Sequence, residues 1–443
     1  MAQLAVGPTG TFKGFTRTDA PAEAGLYRCV HCGFCLAVCP TYLETGLEAE
    51  SPRGRLALMK AVNEGRLRLT AAVVGHWDLC LQCRACEEVC PSQVPYGPLM
   101  EATRAQVEQQ FRRTIQERLA RVAGYRGVLP HSGRLRAAGH ALRLYQRSGL
   151  QRAVRASGIL KVLPGNLDHM EASLPELKDA FFSAQGRLFR PRGLPRARVA
   201  LLSGCVMPMT HGPTMEAVVR VLTRNGIEVH VPAGQGCCGA LNVHAGELES
   251  AREMARRNID AFLEVEPDAI ITASAGCGST MKEYGELLRD DPHYSSRAEQ
   301  VASLTKDIHE YLVELPFEPP RAAMNLRVTY QDACHLAHAQ RIREAPRRIL
   351  RSIPGVEFVE LPEADVCCGS AGTYSLTQRD MSGRLGRRKV ANVKSTGAAV
   401  MATGNPGCAM HIAGQLCTHG EQTTVMYVVD LLAEAYGREE AAR

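Results

Sequence analysis

The sequence predicts a multidomain protein: a small helical N-terminal domain built around cysteine-bound metal, then a duplicated α/β domain with parallel sheets. Two observations predict it. The spacing C-x2-C-x2-C-x3-C occurs twice within the first 91 residues, each time followed by proline. Beyond residue 196, four cysteine landmarks recur at a period near 130 residues. Short apolar runs and helical patterns alternate between them, the mark of a duplicated parallel-sheet unit.

At 443 residues the chain exceeds one ordinary domain. Its 45% hydrophobic and 22% charged residues supply ample core and carry no signature of global disorder. No run approaches the roughly 18 consecutive apolar residues of a membrane-spanning helix. The first 25 residues lack the basic-then-apolar pattern of a signal peptide. The seventeen cysteines are therefore expected to be metal ligands in a cytoplasmic protein rather than disulfides.

Residues 20–110 are expected to form the first domain. Cys29, Cys32, Cys35 and Cys39 are followed by Pro40, and Cys80, Cys83, Cys86 and Cys90 by Pro91. This is the signature of a two-cluster, ferredoxin-like domain, in which the fourth cysteine of each run ligates the other cluster. Three thiolates wrap one cubane, and the fourth, turned away before the proline, reaches its neighbour. Cys29, Cys32, Cys35 and Cys90 are thus the expected ligands of one 4Fe–4S cluster, and Cys80, Cys83, Cys86 and Cys39 those of a second. Zinc knuckles are the alternative, poorly served by two identical four-cysteine runs. His31 reads as a neighbour of the first cluster rather than a ligand, since sulfur already fills its place. Between the runs, Ser51-Pro52 reads as a helix cap followed by a first-turn proline. Arg53 and Arg55 either tune the clusters, dock a partner or sit on a solvated turn.

Residues 111–196 read as a basic helical segment and linker. From Arg112 to Lys161 there are twelve basic residues and one acid, Glu117, a local charge of +11 in a chain of +6 overall. Leu135, Ala138, Leu142, Tyr145 and Gly149 recur at helical spacing with arginines between them. A membrane surface or an acidic partner suits such a face, as does plain solvation. Nucleic acid does not, because no stacking aromatics or binding motif accompany the charge. Residues 161–196, with four prolines, read as a loose connection.

Residues 197–318 and 325–437 are expected to be two Cys-Cys-Gly α/β repeats. Cys205, the pair Cys237-Cys238 and Cys277 correspond to Cys334, the pair Cys367-Cys368 and Cys408, at offsets of 129, 130, 130 and 131 residues. Each cysteine follows a strand-like run, so each copy should gather its four at the carboxyl ends of a parallel sheet, where ligands bind. Four thiolates suffice for a further iron–sulfur cluster, with His411 available as a nitrogen ligand in the second copy. The competing expectation is a tight turn with small buried residues, Gly239 or Gly369 supplying a positive φ. Gly234-Gln235-Gly236-Cys237-Cys238-Gly239 also fits the dinucleotide fingerprint. The second copy, Asp365-Val366-Cys367-Cys368-Gly369, drops the earlier glycines, so no dinucleotide is expected. Cys417, outside every set, reads as a buried core thiol.

The stretches Cys29-Val30-His31-Cys32-Gly33-Phe34-Cys35, Cys39-Pro40-Thr41-Tyr42, Pro52-Arg53-Gly54-Arg55, Cys80-Leu81-Gln82-Cys83-Arg84 and Cys90-Pro91-Ser92, with the two Cys-Cys-Gly repeats, resemble the iron–sulfur subunits of bacterial glycolate oxidase (glycolate dehydrogenase). The likeness spans essentially the whole chain. It implies an electron relay without a catalytic residue of its own, in an oxidoreductase complex. A FAD-containing flavoprotein partner would oxidise glycolate to glyoxylate, and this chain would pass the electrons toward quinone. It would lie in the cytoplasm or peripherally on the inner face of the membrane. The architecture is also similar to the iron–sulfur subunit of anaerobic glycerol-3-phosphate dehydrogenase and to heterodisulfide reductase subunits. The heterodisulfide reductase pattern closes each repeat with C-x2-C, whereas Thr280 and His411 stand at those last positions here.

Overall fold

The computed structural model describes residues 14–162 apart from 17, residues 171 and 177, and residues 179–442. The N-terminal part is all helix. Ser51 caps the helix Pro52–Asn63 by accepting from the Gly54 amide, and Pro52 occupies the first turn, as the sequence predicts. Leu56, Met59 and Val62 on one face of it meet Trp77 of the helix Ala71–Asp78 and Leu99 and Met100 of the helix Tyr96–Gln110 in one apolar core.

A buried ion pair crosses this core. Arg55, 1% exposed, pairs with Glu50 at 2.6 Å, and donates to the His76 carbonyl and the Thr41 hydroxyl. His76 Nδ1 meets the other Glu50 oxygen at 2.5 Å. Arg53, more exposed, pairs with Glu48 and donates to the His31 carbonyl. Neither arginine sits on a free solvated turn. Removing one partner of a buried pair leaves an uncompensated charge and costs about 3–5 kcal/mol. Arg55→Leu is therefore expected to lower the urea midpoint of the N-terminal domain sharply. An unchanged midpoint would show the pair contributes nothing.

Two sheets follow. The first orders β1 (Arg187–Phe189), β2 (Ala197–Leu201), β3 (Ile227–Val231), β4 (Ala269–Thr272) and β5 (Thr305–Asp307) as 1-3-2-4-5. The second orders β6 (Leu326–Tyr330), β7 (Val356–Glu360), β8 (Val400–Thr403) and β9 (Thr424–Tyr427) as 7-6-8-9. The order 3-2-4-5 of the first copy is thus the order 7-6-8-9 of the second, all parallel. β4 and β8, apolar but for a closing threonine in each, are buried throughout, as a sheet covered on both faces requires.

Three expectations need correction. The connection 161–196 is not uniformly loose: β1 lies in it and pairs antiparallel with β3, while its stretches at 163–170 and 172–176 lie outside the described residues. Cys417 is exposed. Cys408, Ile412 and Leu416 set the buried face of the helix Pro406–Thr418, and the next residue turns away from it. The amphipathic pattern gives a helix Ser132–Arg147 with Gly149 as cap of the next. Part of the charge upstream of it is spent internally: Arg113 pairs with Asp78 and Glu108, Arg121 with Glu108 and Glu247, and Arg126 with Glu247.

The repeats share one core. The C-terminal helix Val428–Ala441 packs against Gly212–Arg224 of the first copy. Thr214 donates to Asp430, and Arg224 pairs with Glu439. The N-terminal domain docks on both copies. Gly246, at φ +79°, lies against the backbone of Arg104 and Ala105, where a Cβ would come within 2.5 Å. Arg104 donates to the carbonyls of His244, Trp77 and Cys80. Glu88 meets His338 and Arg343 of the second copy.

Candidate metal centres

In each N-terminal cysteine run the backbone takes the same unusual course. His31 and Gly33 have φ of +56° and +88°, and Gln82 and Arg84, at the same places 51 residues on, have φ of +52° and +65°. Only one of the four is glycine. For the others this conformation costs roughly 1–2 kcal/mol each. It turns successive amide N–H groups toward one point, the arrangement that cradles anions and iron–sulfur clusters. Cys39 and Cys90 stand apart from these loops. Cys39 is the cap before Pro40, which opens the helix Pro40–Thr45.

Two cavities result. One, of about 300 Å³ counting its open mouth, is lined by Cys29, Cys32, Cys35 and Cys90. The other, of about 320 Å³, is lined by Cys39, Cys80, Cys83 and Cys86. Each thus takes three cysteines from one run and the fourth from the other. Among the described residues no three His, Cys, Asp or Glu side chains are set as ligands of a single metal ion. Thiolates on a cubane bind different irons, so these sets suit a cluster better than mononuclear zinc.

The cavities differ in exposure. Cys32 is open to solvent and its three companions are half-buried, with Val30 and Phe34 exposed beside them. All four cysteines of the second cavity are buried. Burial pushes the Cys35 thiol up to about 11 and those of Cys83 and Cys86 well above the ordinary range. Thiols held protonated in this way must lose their protons when metal binds. Burial works against the charge of Arg55, yet Cys80, Tyr96, Cys39 and Glu50 around it keep the guanidinium protonated.

The repeat cysteines also converge. Cys205 follows β2, Cys237 and Cys238 follow β3, and Cys277 lies in the helix Ala275–Lys282 after β4. In each copy the four thiols come close enough to perturb one another: Cys205, Cys237, Cys238 and Cys277 in the first, and Cys334, Cys367, Cys368 and Cys408 in the second. In each quartet one inner thiol is held low by its neighbours, Cys237 by Cys205 and Cys238, and Cys368 by Cys367 and Cys408. Gly239 and Gly369 follow at φ +87° and +91°. A Cβ on Gly369 would stand 2.8 Å from the Ser382 carbonyl oxygen, so both the turn and the close approach require glycine there.

The quartets have different surroundings. Behind the first, Asn258 accepts from the Gly236 amide and donates to the Cys237 carbonyl, and the Gly239 amide faces Cys237 Sγ. Two amides of the glycine fingerprint, those of Gly236 and Gly239, are thereby engaged within the protein. Beside the second, the His411 ring acts on Cys368, and its buried Nε2 has no protein partner. Lys389, 2% exposed, donates to the Glu363 carbonyl, and burial pushes its ammonium down. Lys389, Asn405 and the Arg55–Glu50–His76 network carried no signal in cysteine spacing. The arginine pair of Pro52-Arg53-Gly54-Arg55 was the only hint of the last.

Comparisons with known proteins agree along the chain. A model described as a 4Fe-4S dicluster domain matches residues 25–94. One described as a cysteine-rich domain matches 199–282 and 328–413. One described as the linker region of the glycolate oxidase iron–sulfur subunit matches 116–174. The probable glycolate oxidase iron–sulfur subunit of Bacillus subtilis is 43% identical over 427 residues, covering 94% of this chain and 95% of the relative. That of Escherichia coli is 35% identical over 424 residues, covering 94% and 96%. Lactate utilization protein A of Bacillus licheniformis is 31% identical over 236 residues, covering 53% of this chain and 98% of the relative.

Proposed function

The chain belongs to the family of glycolate oxidase iron–sulfur subunits, and on that premise we propose that it is the electron relay of a glycolate-oxidising complex. In this reading a FAD-containing flavoprotein partner makes glyoxylate, and the electrons leave through this chain toward quinone. The observation that carries it is the pair of four-cysteine cavities, each completed by the other run's last cysteine. Cys29, Cys32, Cys35 and Cys90 hold one 4Fe–4S cluster, and Cys39, Cys80, Cys83 and Cys86 the second. Bound clusters supply reversible one-electron chemistry. The protein's own residues fix where it occurs. The exposed loop with Cys32, Val30 and Phe34 offers an entry point, and the Arg55–Glu50 pair braces the wall of the inner cavity. The two repeat quartets hold further iron–sulfur clusters on this reading.

A relay of this kind does not oxidise the hydroxy acid. The flavin takes the hydride and releases electrons singly. The purified chain alone is expected to show no glycolate-dependent dye reduction, and to support it once the flavoprotein is added. Turnover by the chain alone would overturn the reading.

Among the described residues no helix is long and apolar enough to cross a membrane. Arg118, Arg136 and Arg152 stand exposed in the basic segment, with Ile115, Leu119, Leu144 and Leu150 exposed on the same helices. This face docks the chain on the anionic cytoplasmic leaflet or on an acidic face of the flavoprotein. Basic side chains near such a leaflet contribute about 1 kcal/mol each. The triple variant Arg118→Glu, Arg136→Glu, Arg152→Glu is expected to lose salt-sensitive binding to anionic vesicles or to the flavoprotein in co-sedimentation. Unchanged binding to both would return the segment to a solvated face.

A further inference from the structure

We infer that the two repeat quartets are not equivalent stations: the second-copy quartet, Cys334, Cys367, Cys368 and Cys408, receives electrons directly from the inner N-terminal cluster, and the first-copy quartet lies beyond it. The inference rests on the proposed function in taking both kinds of site to hold clusters.

The thiols of the inner cavity pack against the second copy, whereas the cavity meets the first copy through a side-chain ion pair, Arg84 with Glu283. Cys83 packs in one apolar cluster with Leu81, Cys367, Tyr374 and Leu385, and Cys334 lies against it. The backbone is tied at the same place. His335, beside Cys334, donates from Nε2 to the Gln82 carbonyl at 2.9 Å, and Gln82 lies between Cys80 and Cys83. The Tyr374 hydroxyl donates to the Leu79 carbonyl at 3.0 Å, next to Cys80. By contrast, Cys238 and Cys277 of the other quartet lie in an apolar cluster drawn wholly from the first copy.

The quartets meet each other through Asn405. Its Nδ2 donates to Cys408 Sγ at 3.5 Å. Its Oδ1 accepts from the Gly276 amide at 3.3 Å and from the Ser274 hydroxyl at 3.4 Å, at the start of the helix carrying Cys277. The Ala275 amide donates to the Gly404 carbonyl at 3.2 Å. Electron tunnelling decays steeply with distance and favours packed, bonded matter over gaps. The route this packing defines runs from the exposed cavity to the inner cavity, across the apolar cluster that joins Cys83 to Cys367 and Cys334, and through Asn405 to the first copy. One electron passes at each step, from the reduced flavin of the partner toward quinone, with no bond made or broken in the chain.

The test uses the full chain, purified anaerobically, and two double variants, Cys367→Ser/Cys368→Ser and Cys237→Ser/Cys238→Ser. Iron content reports whether a quartet held a cluster. The microwave power that saturates the electron-paramagnetic signal of the reduced N-terminal clusters reports which quartet is magnetically adjacent. The second-copy variant is expected to lower that power several-fold and the first-copy variant to leave it unchanged. A larger effect from the first-copy variant overturns the order. No effect from either overturns it too: if iron has fallen the order is wrong, and if iron is unchanged the underlying reading of the quartets has failed. Should a double variant not fold, Tyr374→Ala replaces it. It is expected to slow oxidation of the reduced N-terminal clusters by quinone while iron content holds, and an unchanged rate would contradict the route.

Discussion

Replacing Cys39 with alanine is expected to remove the cluster nominally belonging to the other run. Iron per chain should fall by about four, the content of one cubane. The remaining spectrum should match that of Cys83→Ala and differ from that of Cys32→Ala. Cys90→Ala should do the converse. The expectation follows from the cavities, where Cys39 faces Cys80, Cys83 and Cys86, and Cys90 faces Cys29, Cys32 and Cys35. Loss in Cys39→Ala of the cluster held by Cys29, Cys32 and Cys35, with the other intact, would mean each run serves itself.

The next largest effect concerns the quartets. If the second-copy quartet holds a cluster, Cys367→Ser/Cys368→Ser should lower iron and acid-labile sulfide by about four each per chain, and abolish transfer to quinone with flavin reduction intact. The second copy ranks ahead of the first because the unpartnered His411 nitrogen stands beside Cys368, whereas Thr280 occupies the matching position. About eight irons before and after the substitution, with transfer intact, would make the repeats a structural docking platform.

What was legible in the sequence is what is encoded locally. The order of the N-terminal cysteines, the cap Ser51-Pro52 and the four landmarks of each repeat all lie in short motifs, and the duplication doubled the evidence for the sheets. The strand Arg187–Phe189 was not legible: three residues, two of them exposed, are too few to show an alternation. Cys417 was misplaced because helical phase, not residue type, decides its exposure. The +11 segment read as an unneutralised face because Asp78, Glu108 and Glu247, which pair with its arginines, lie outside it in sequence. The packing of Cys83 with Cys367 and the Asn405 bridge join residues far apart in the chain, and no periodicity announces them. Positive φ at His31, Gln82 and Arg84 had no glycine to mark it.

An anaerobic reductive titration of the full-length chain with dithionite, counting electrons against iron and sulfide, tests the relay most directly. The account predicts uptake of at least two electrons per chain, one for each N-terminal cluster, with bleaching of the broad absorbance near ~400 nm that sulfide-to-iron charge transfer gives. A chain that carries zinc in place of iron, or iron that accepts no electrons, would contradict it.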